Sequence, residues 1–321
     1  MNYKKTILLL ALSLSLTACG SEVANINNQN TEITETKAGE QRIIYTSFYP
    51  IYNLTKQIAG DKFDVKSFSN LKTESHRWEP SAKDMKELAN ASIMFLNGAG
   101  MEEWAEDIDK ALDINQVSTS DNLDLIEASE DDHDHDYAED EHVNDHGDHD
   151  PHTWLSPING KDQAKVIADK LSEIDPANKD YYISNYQKLS DELDSIVKEY
   201  KEKFDELDNR NFIVTHKAFS YLARDFDLNQ IALTGIMSTD EANPDALKEA
   251  IEIARELGIY TIFYEMGGSD KQAKILAEEI GGKTQALNTL EFATDDELSN
   301  ETTYQELMRA NLEALYQSMS K

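Results

Sequence analysis

Tyr182-Ile183-Ser184-Asn185-Tyr186-Gln187-Lys188-Leu189-Ser190-Asp191-Glu192-Leu193-Asp194-Ser195-Ile196-Val197-Lys198-Glu199-Tyr200-Lys201-Glu202-Lys203-Phe204 is the stretch that decides the fold. Tyr182, Tyr186, Leu189, Leu193, Ile196, Tyr200 and Phe204 recur every three or four residues with no Gly or Pro between them. That period predicts one helix over 176–206, about 45 Å long. A short coiled coil would give the same stripe; a single stripe inside an α/β chain more often links two lobes. On its N-terminal side, strand-like runs at Arg42–Thr46, Phe63–Phe68 and Ile93–Leu96 alternate with helical patterns at Pro50–Ala59, Ser81–Ala89, Met101–Leu112 and Gly160–Ile174. On its C-terminal side the alternation restarts, with strands at Phe212–Thr215, Gln230–Thr234, Tyr260–Tyr264 and Lys283–Leu287. Helices are expected there at Phe219–Phe226, Pro244–Leu257, Asp270–Ile280 and Thr302–Met319. The expected class is α/β: two lobes (42–175 and 207–321), each a mostly parallel sheet flanked by helices, joined by the long linking helix.

The N-terminus reads as an export signal over 1–18. Lys4 and Lys5 precede the apolar run Ile7–Leu16, which is too short for a comfortable membrane span, and Leu16-Thr17-Ala18-Cys19 follows. This resembles a lipobox, which makes Cys19 the first mature residue and the point of lipid attachment to the membrane. Cys19 is the only cysteine, so any metal site inside the fold must use His and carboxylate. Residues 19–41 are polar and read as a flexible tether. A formal charge of −32 argues against nucleic acid as a partner.

His76 stands in Ser75-His76-Arg77-Trp78-Glu79-Pro80-Ser81, His152 in Asp150-Pro151-His152-Thr153-Trp154-Leu155, and His216 in Thr215-His216-Lys217-Ala218-Phe219. His216 and Glu265 each follow an expected strand directly. In open α/β sheets, ligands bind at the carboxyl ends of strands. Three imidazoles and one carboxylate, His76, His152, His216 and Glu265, make a tetrahedral set suited to zinc, whereas manganese prefers more oxygen. Taken singly, each has a plainer reading as a capping or surface residue.

Between the first two motifs lies an acidic loop over 130–150, with His133, His135, His142, His146 and His149 among eleven acidic residues. It is either a solvated low-complexity insert or a low-affinity zinc collector that fades below about pH 6.5, where imidazole protonates.

The three histidine segments resemble the motifs of the zinc- and manganese-specific substrate-binding proteins of bacterial ABC importers. Phe263-Tyr264-Glu265 is similar to that family's fourth-ligand segment, and the likeness runs from about Arg42 to the C-terminus. The resemblance implies a monomeric, lipid-anchored, extracytoplasmic receptor that delivers Zn2+ to an ABC permease and its ATPase, with no catalytic activity. His216 with Glu265 matches the zinc branch; a manganese or iron receptor is the alternative, followed by a surface adhesin with structural metal. No His-Glu-x-x-His or Gly-x-Ser-x-Gly supports a hydrolase. Two departures stand out: Ser156 where the family often has Asp, and Met266-Gly267-Gly268 after Glu265.

Overall fold

In parallel sheets both faces are covered, so the central strands must be apolar on two sides. The computed structural model, which describes residues 42–320 except 74, 77, 129–147 and 237–241, shows how this chain meets that demand. The first sheet holds β1 (Ile43–Thr46), β2 (Asp64–Ser67), β3 (Ile93–Leu96) and β4 (Gln116–Ser118) in the order β2-β1-β3-β4. The second holds β5 (Asn211–His216), β6 (Asn229–Thr234), β7 (Thr261–Glu265) and β8 (Lys283–Leu287) in the order β6-β5-β7-β8. Every pairing is parallel. Both sheets therefore reverse strand order at the same place, between their first and third strands, which is where such folds bind ligands.

The helices of the first half are α1 (Tyr49–Ala59), α2 (Ala82–Leu88), α3 (Ala105–Ala111) and α4 (Pro157–Ile174). The linking helix is α5 (Lys179–Asp205), followed by α6 (Ser220–Phe226), α7 (Pro244–Leu257), α8 (Lys271–Ile280), α9 (Asp295–Ser299) and α10 (Tyr304–Met319). Side chains alternate across each sheet. Ile44, Ile93 and Phe95 face a large inner core, while Tyr45 and Met94 face a smaller one with Leu88 of α2 and Ile108 of α3. Phe212 and Val214 join the inner core, and Ile213 packs outward with Ala250, Ala254 and Leu276 from α7 and α8. One apolar core thus runs behind both sheets, shared with Leu193 and Ile196 of α5 and Leu312 and Leu315 of α10.

The stripe that predicted α5 is its buried face, with Tyr182, Leu189, Leu193, Ile196, Tyr200 and Phe204 inside and Tyr186 half-buried. The helix packs on α1, α4 and α10 of its own chain, which answers the coiled-coil alternative. It starts later than expected because Pro176–Asn178 forms a 3-10 turn, where the Asp175 carboxylate accepts from Asn178 (2.8 Å) and Tyr182 Oη (2.5 Å). Three further differences have local causes. Helix α4 begins at Pro157, not Gly160, because Ser156 caps it by accepting from Asn159 N. Helix α3 covers only the later part of the expected Met101–Leu112, because residues 101–104 form turns closed by Met101 N to the Gly98 carbonyl (3.1 Å) and Ala105 N to the Glu102 carbonyl (3.1 Å). The three-residue β4 and five-residue α9 are too short for a periodic signal.

Candidate metal centre

His216 is the last residue of β5 and Glu265 the last of β7, so the second sheet's reversal point carries both. His152 enters from the first half, on a 3-10 turn (Thr153–Leu155) held by a buried amide network. Asn97 donates to the Pro151 carbonyl (2.9 Å) and accepts from Thr153 Oγ1 (2.8 Å) and Gln163 (2.9 Å). Asp150 Oδ1 accepts from the His152 backbone N (3.0 Å) and from Nδ1 (2.8 Å), which leaves Nε2 turned to the cleft. Burial, which outweighs Asp150, pushes the His152 pKa down, so the ring is held neutral as a metal ligand must be.

His76 Nε2 lies 3.1 Å from His152 Nε2. The ring centroids are 5.0 Å apart for His76–His152, 5.0 Å for His152–His216 and 5.7 Å for His76–His216. One nitrogen from each ring falls within 4.8 Å of the others. Tetrahedral zinc with Zn–N of about 2.0–2.1 Å needs nitrogens about 3.4 Å apart. The His76–His152 pair already meets that spacing.

The structure places two carboxylates at the cluster in different ways. Glu265 contacts His216 Nδ1, and the other ring nitrogen lies 2.8 Å from the Ile236 carbonyl. Both partners only accept, so this arrangement holds His216 doubly protonated. Burial alone would lower its pKa, but the Glu265 carboxylate prevails and pushes it up to about 9. Metal binding at His216 therefore releases a proton and displaces one of the two partners. Glu291, by contrast, is buried at 2 % exposure with Oε1 3.5 Å from His76 Nε2 and Oε2 3.5 Å from Ser75 N. Burial would raise its carboxyl, yet His76 and the other imidazoles hold it down to about 2.

The three expected histidines are thus brought together, while Glu265 meets the outer side of His216. Glu291 was not read from the sequence. It lies four residues past β8, beyond a turn in which Leu290 adopts φ 57° and Asn288 Oδ1 accepts from Leu290 N (2.8 Å). The carboxyl-end rule applied to strand 283–287 would have pointed at this loop. The unassigned Met266-Gly267-Gly268 belongs to the same neighbourhood. Gly267 has φ 85°, and a Cβ there would lie 2.4 Å from the Phe292 ring, beside Glu291. Ser156, where the family often has Asp, donates to Asp225 of α6.

His133, His135, His142 and His146 lie outside the described residues, as do Cys19 and the signal and tether segments. His149 is described, and it pairs with Glu127 in an antiparallel bridge. Ala128 N donates to the Asp148 carbonyl (2.9 Å) and Asp150 N to the Ile126 carbonyl (2.8 Å), so the loop closes next to His152. Tyr221 of α6 fastens this neck, donating to the Asp150 carbonyl (2.7 Å) and accepting from Ile126 N (3.1 Å). Among the described residues no helix is long and apolar enough to cross a membrane.

A bilobed α/β scaffold with histidines converging between its lobes places the chain in the class of metal-binding solute receptors. The chain belongs to the family described as the zinc-uptake complex component A, periplasmic, which it matches over residues 44–318. Among relatives, it is 34 % identical over 307 residues to the high-affinity zinc uptake system protein ZnuA of Bacillus subtilis, covering 95 % of this chain and 96 % of that one. It is 33 % identical to the zinc-binding lipoprotein AdcA of Streptococcus pneumoniae, of which it spans 61 % while 98 % of this chain is covered. Among solved structures, it resembles the laminin-binding protein of Streptococcus agalactiae, described as bifunctional with adhesin and metal-transporting activity. That likeness has a TM-score of 0.76 at 32 % identity, over 87 % of this chain and 99 % of the other. The metal-dependent lipoprotein YcdH of Bacillus subtilis matches with a TM-score of 0.74 at 32 % identity, over 87 % and 100 %.

Proposed function

We propose that this protein is a monomeric extracytoplasmic receptor that holds Zn2+ through His76, His152, His216 and Glu291 and delivers it to an ABC permease and its ATPase. The observation that carries the ligand set is the convergence of three imidazole nitrogens within 4.8 Å with a buried carboxylate against one of them. In this reading Glu265 acts on His216 from outside, orienting the ring and raising its basicity, where the sequence suggested direct ligation. Three nitrogens and one carboxylate leave no open position on tetrahedral zinc, which suits capture over catalysis. Cys19 carries the lipid anchor, and the histidine-rich loop, closing two residues from His152, collects zinc at low affinity near the cleft.

Competitive zinc titration of the loop-deleted protein against a chromophoric chelator, repeated with excess manganese, tests this. One tight site that resists manganese supports the reading. Displacement by manganese turns it to a manganese receptor, and absence of a tight site removes the cleft from consideration.

A further inference from the structure

The first sheet has the same strand order as the second, and its reversal point, between β1 and β3, carries no histidine. It carries a small polar pocket instead. Ser47 follows β1, Ser69 follows β2, and Glu102 lies beyond β3 at the start of the turn into α3; Ser75 closes the pocket from above, with Trp78 and Trp104 as walls. The cavity is about 10 Å³, room for one water molecule. Ser69 and Ser75 are 6 % and 7 % exposed and their hydroxyls make no hydrogen bond among the described residues, while Ser47, 1 % exposed, turns its hydroxyl to Glu102. Glu102 is anchored there by Asn97 N (2.7 Å) and Gly98 N (2.9 Å), and Ser47 faces its carboxyl. Buried hydroxyls without partners are rare in native proteins and are commonly satisfied by ordered water.

The pocket matters because of what Ser75 adjoins. Its side chain points into the cavity, its backbone N lies 3.5 Å from Glu291, and the next residue is His76. Trp78, on the other side of His76, packs edge-on against Phe68 (5.1 Å) and Trp104 (5.6 Å). The segment bearing the first histidine is therefore seated on the pocket, through Ser75 and Trp78.

We propose that one buried water fills this pocket, joining Ser47, Ser69, Ser75 and Glu102, and that Ser75 and Glu102 are positioning residues that hold His76 on the metal. The proposal rests on His76 being a zinc ligand, as argued above. Removing a partner that orients a metal ligand costs roughly 10–100-fold in metal affinity. Ser75→Ala and Glu102→Gln should each speed zinc release by at least about tenfold, read by chelator-chase stopped flow on the mature protein, with the association rate little changed.

The discriminating measurement repeats both variants in a His76→Ala background. His76→Ala alone tests the ligand assignment and weakens zinc binding if that assignment holds. With His76 gone, Ser75→Ala and Glu102→Gln should have no further effect on release. Unchanged release in the parent background, or the same acceleration in both backgrounds, would overturn the proposal. Each variant is checked by circular dichroism; because Glu102→Gln turns an amide NH2 toward the backbone N–H of Asn97 or Gly98, Ser69→Ala, which removes one hydroxyl from the same pocket and should speed release alike, stands in should either variant misfold. A high-resolution crystal structure should show one water within about 3.2 Å of the Ser69 and Ser75 hydroxyls. An empty pocket, or zinc release that depends on which monovalent cation is present, would rule out water as the occupant.

Discussion

Replacing Glu265 by Gln separates two effects that this carboxylate has on His216. In the metal-free site Glu265 and the Ile236 carbonyl both accept from the ring, and the Glu265 carboxylate overcomes burial to push the His216 pKa up to about 9. Zinc takes a neutral imidazole. At pH 7 the ring must lose a proton about two units below its pKa, a cost of about 3 kcal/mol or roughly 100-fold in apparent affinity. With zinc bound, the same carboxylate accepts from the remaining N–H, and losing such a partner costs roughly 10–100-fold. The parent protein should therefore bind zinc about tenfold more tightly per pH unit from 7 to 9, releasing one proton, and level off above. In E265Q the charged ring loses its counter-charge, so that pH dependence disappears. The two effects nearly cancel at pH 7, while at pH 9 E265Q should be weaker by roughly 10–100-fold. The assay is chelator competition at pH 7, 8 and 9 on protein lacking residues 130–149, with calorimetry in two buffers to count protons. Parallel pH curves for parent and variant would refute the coupling of Glu265 to His216.

Glu291→Gln should weaken zinc binding by more than about 100-fold at every pH, because a ligand is lost and not merely its support; a smaller loss than that of E265Q at pH 9 would restore Glu265 to the ligand set. The same carboxyl, held near 2 when folded against about 4.3 unfolded, stabilises the metal-free protein above pH 4.3 and loses that effect as pH falls through 2. Acid unfolding of metal-free E291Q should accordingly show a flatter pH dependence between 5 and 2. Ser156→Ala removes the cap of α4 and strips a hydrogen bond from buried Asp225, whose pKa burial already raises, so urea unfolding should lose about 1–3 kcal/mol. An unchanged midpoint would show that the cap is supplied otherwise. Deleting residues 130–149 should lower zinc uptake from dilute solution at pH 7.5 but not at pH 5.5, where imidazoles are protonated; equal losses at both values would remove the loop as a collector.

Sequence period made the architecture legible where elements are long. The seven-residue stripe of α5 shows a helix whatever it packs against, and only its contacts with α1, α4 and α10 decide against a coiled coil, whereas three-residue β4 has too few positions to show a period. At the site, His76, His152 and His216 were legible because each sits in a distinctive local segment. Glu265 was found through its place at a strand end, but strand ends do not say whether a carboxylate faces a metal or the back of an imidazole. Glu291, which we propose as the fourth ligand, gave no such signal because its direction comes from the left-handed Leu290 and the packing of Phe292 over Gly267. Asn288 marks the turn locally by accepting from Leu290 N, but the direction in which the turn sends Glu291 is set by tertiary contacts.

The apolar core that runs unbroken behind both sheets makes the molecule mechanically a beam and not a pair of jaws. Trp154 donates to the Thr289 carbonyl (2.7 Å) and Tyr304 to the Trp154 carbonyl (2.6 Å), pinning the seam from both sides. Bending the lobes apart would wet Phe204, Phe212 and Leu312 together, as partial unfolding does. The compliance available for taking up and surrendering an ion is therefore confined to the rim of the cleft. Entry and exit of an ion at this cleft would accordingly draw on movement of the ligand-bearing loops more than on any swing of the lobes.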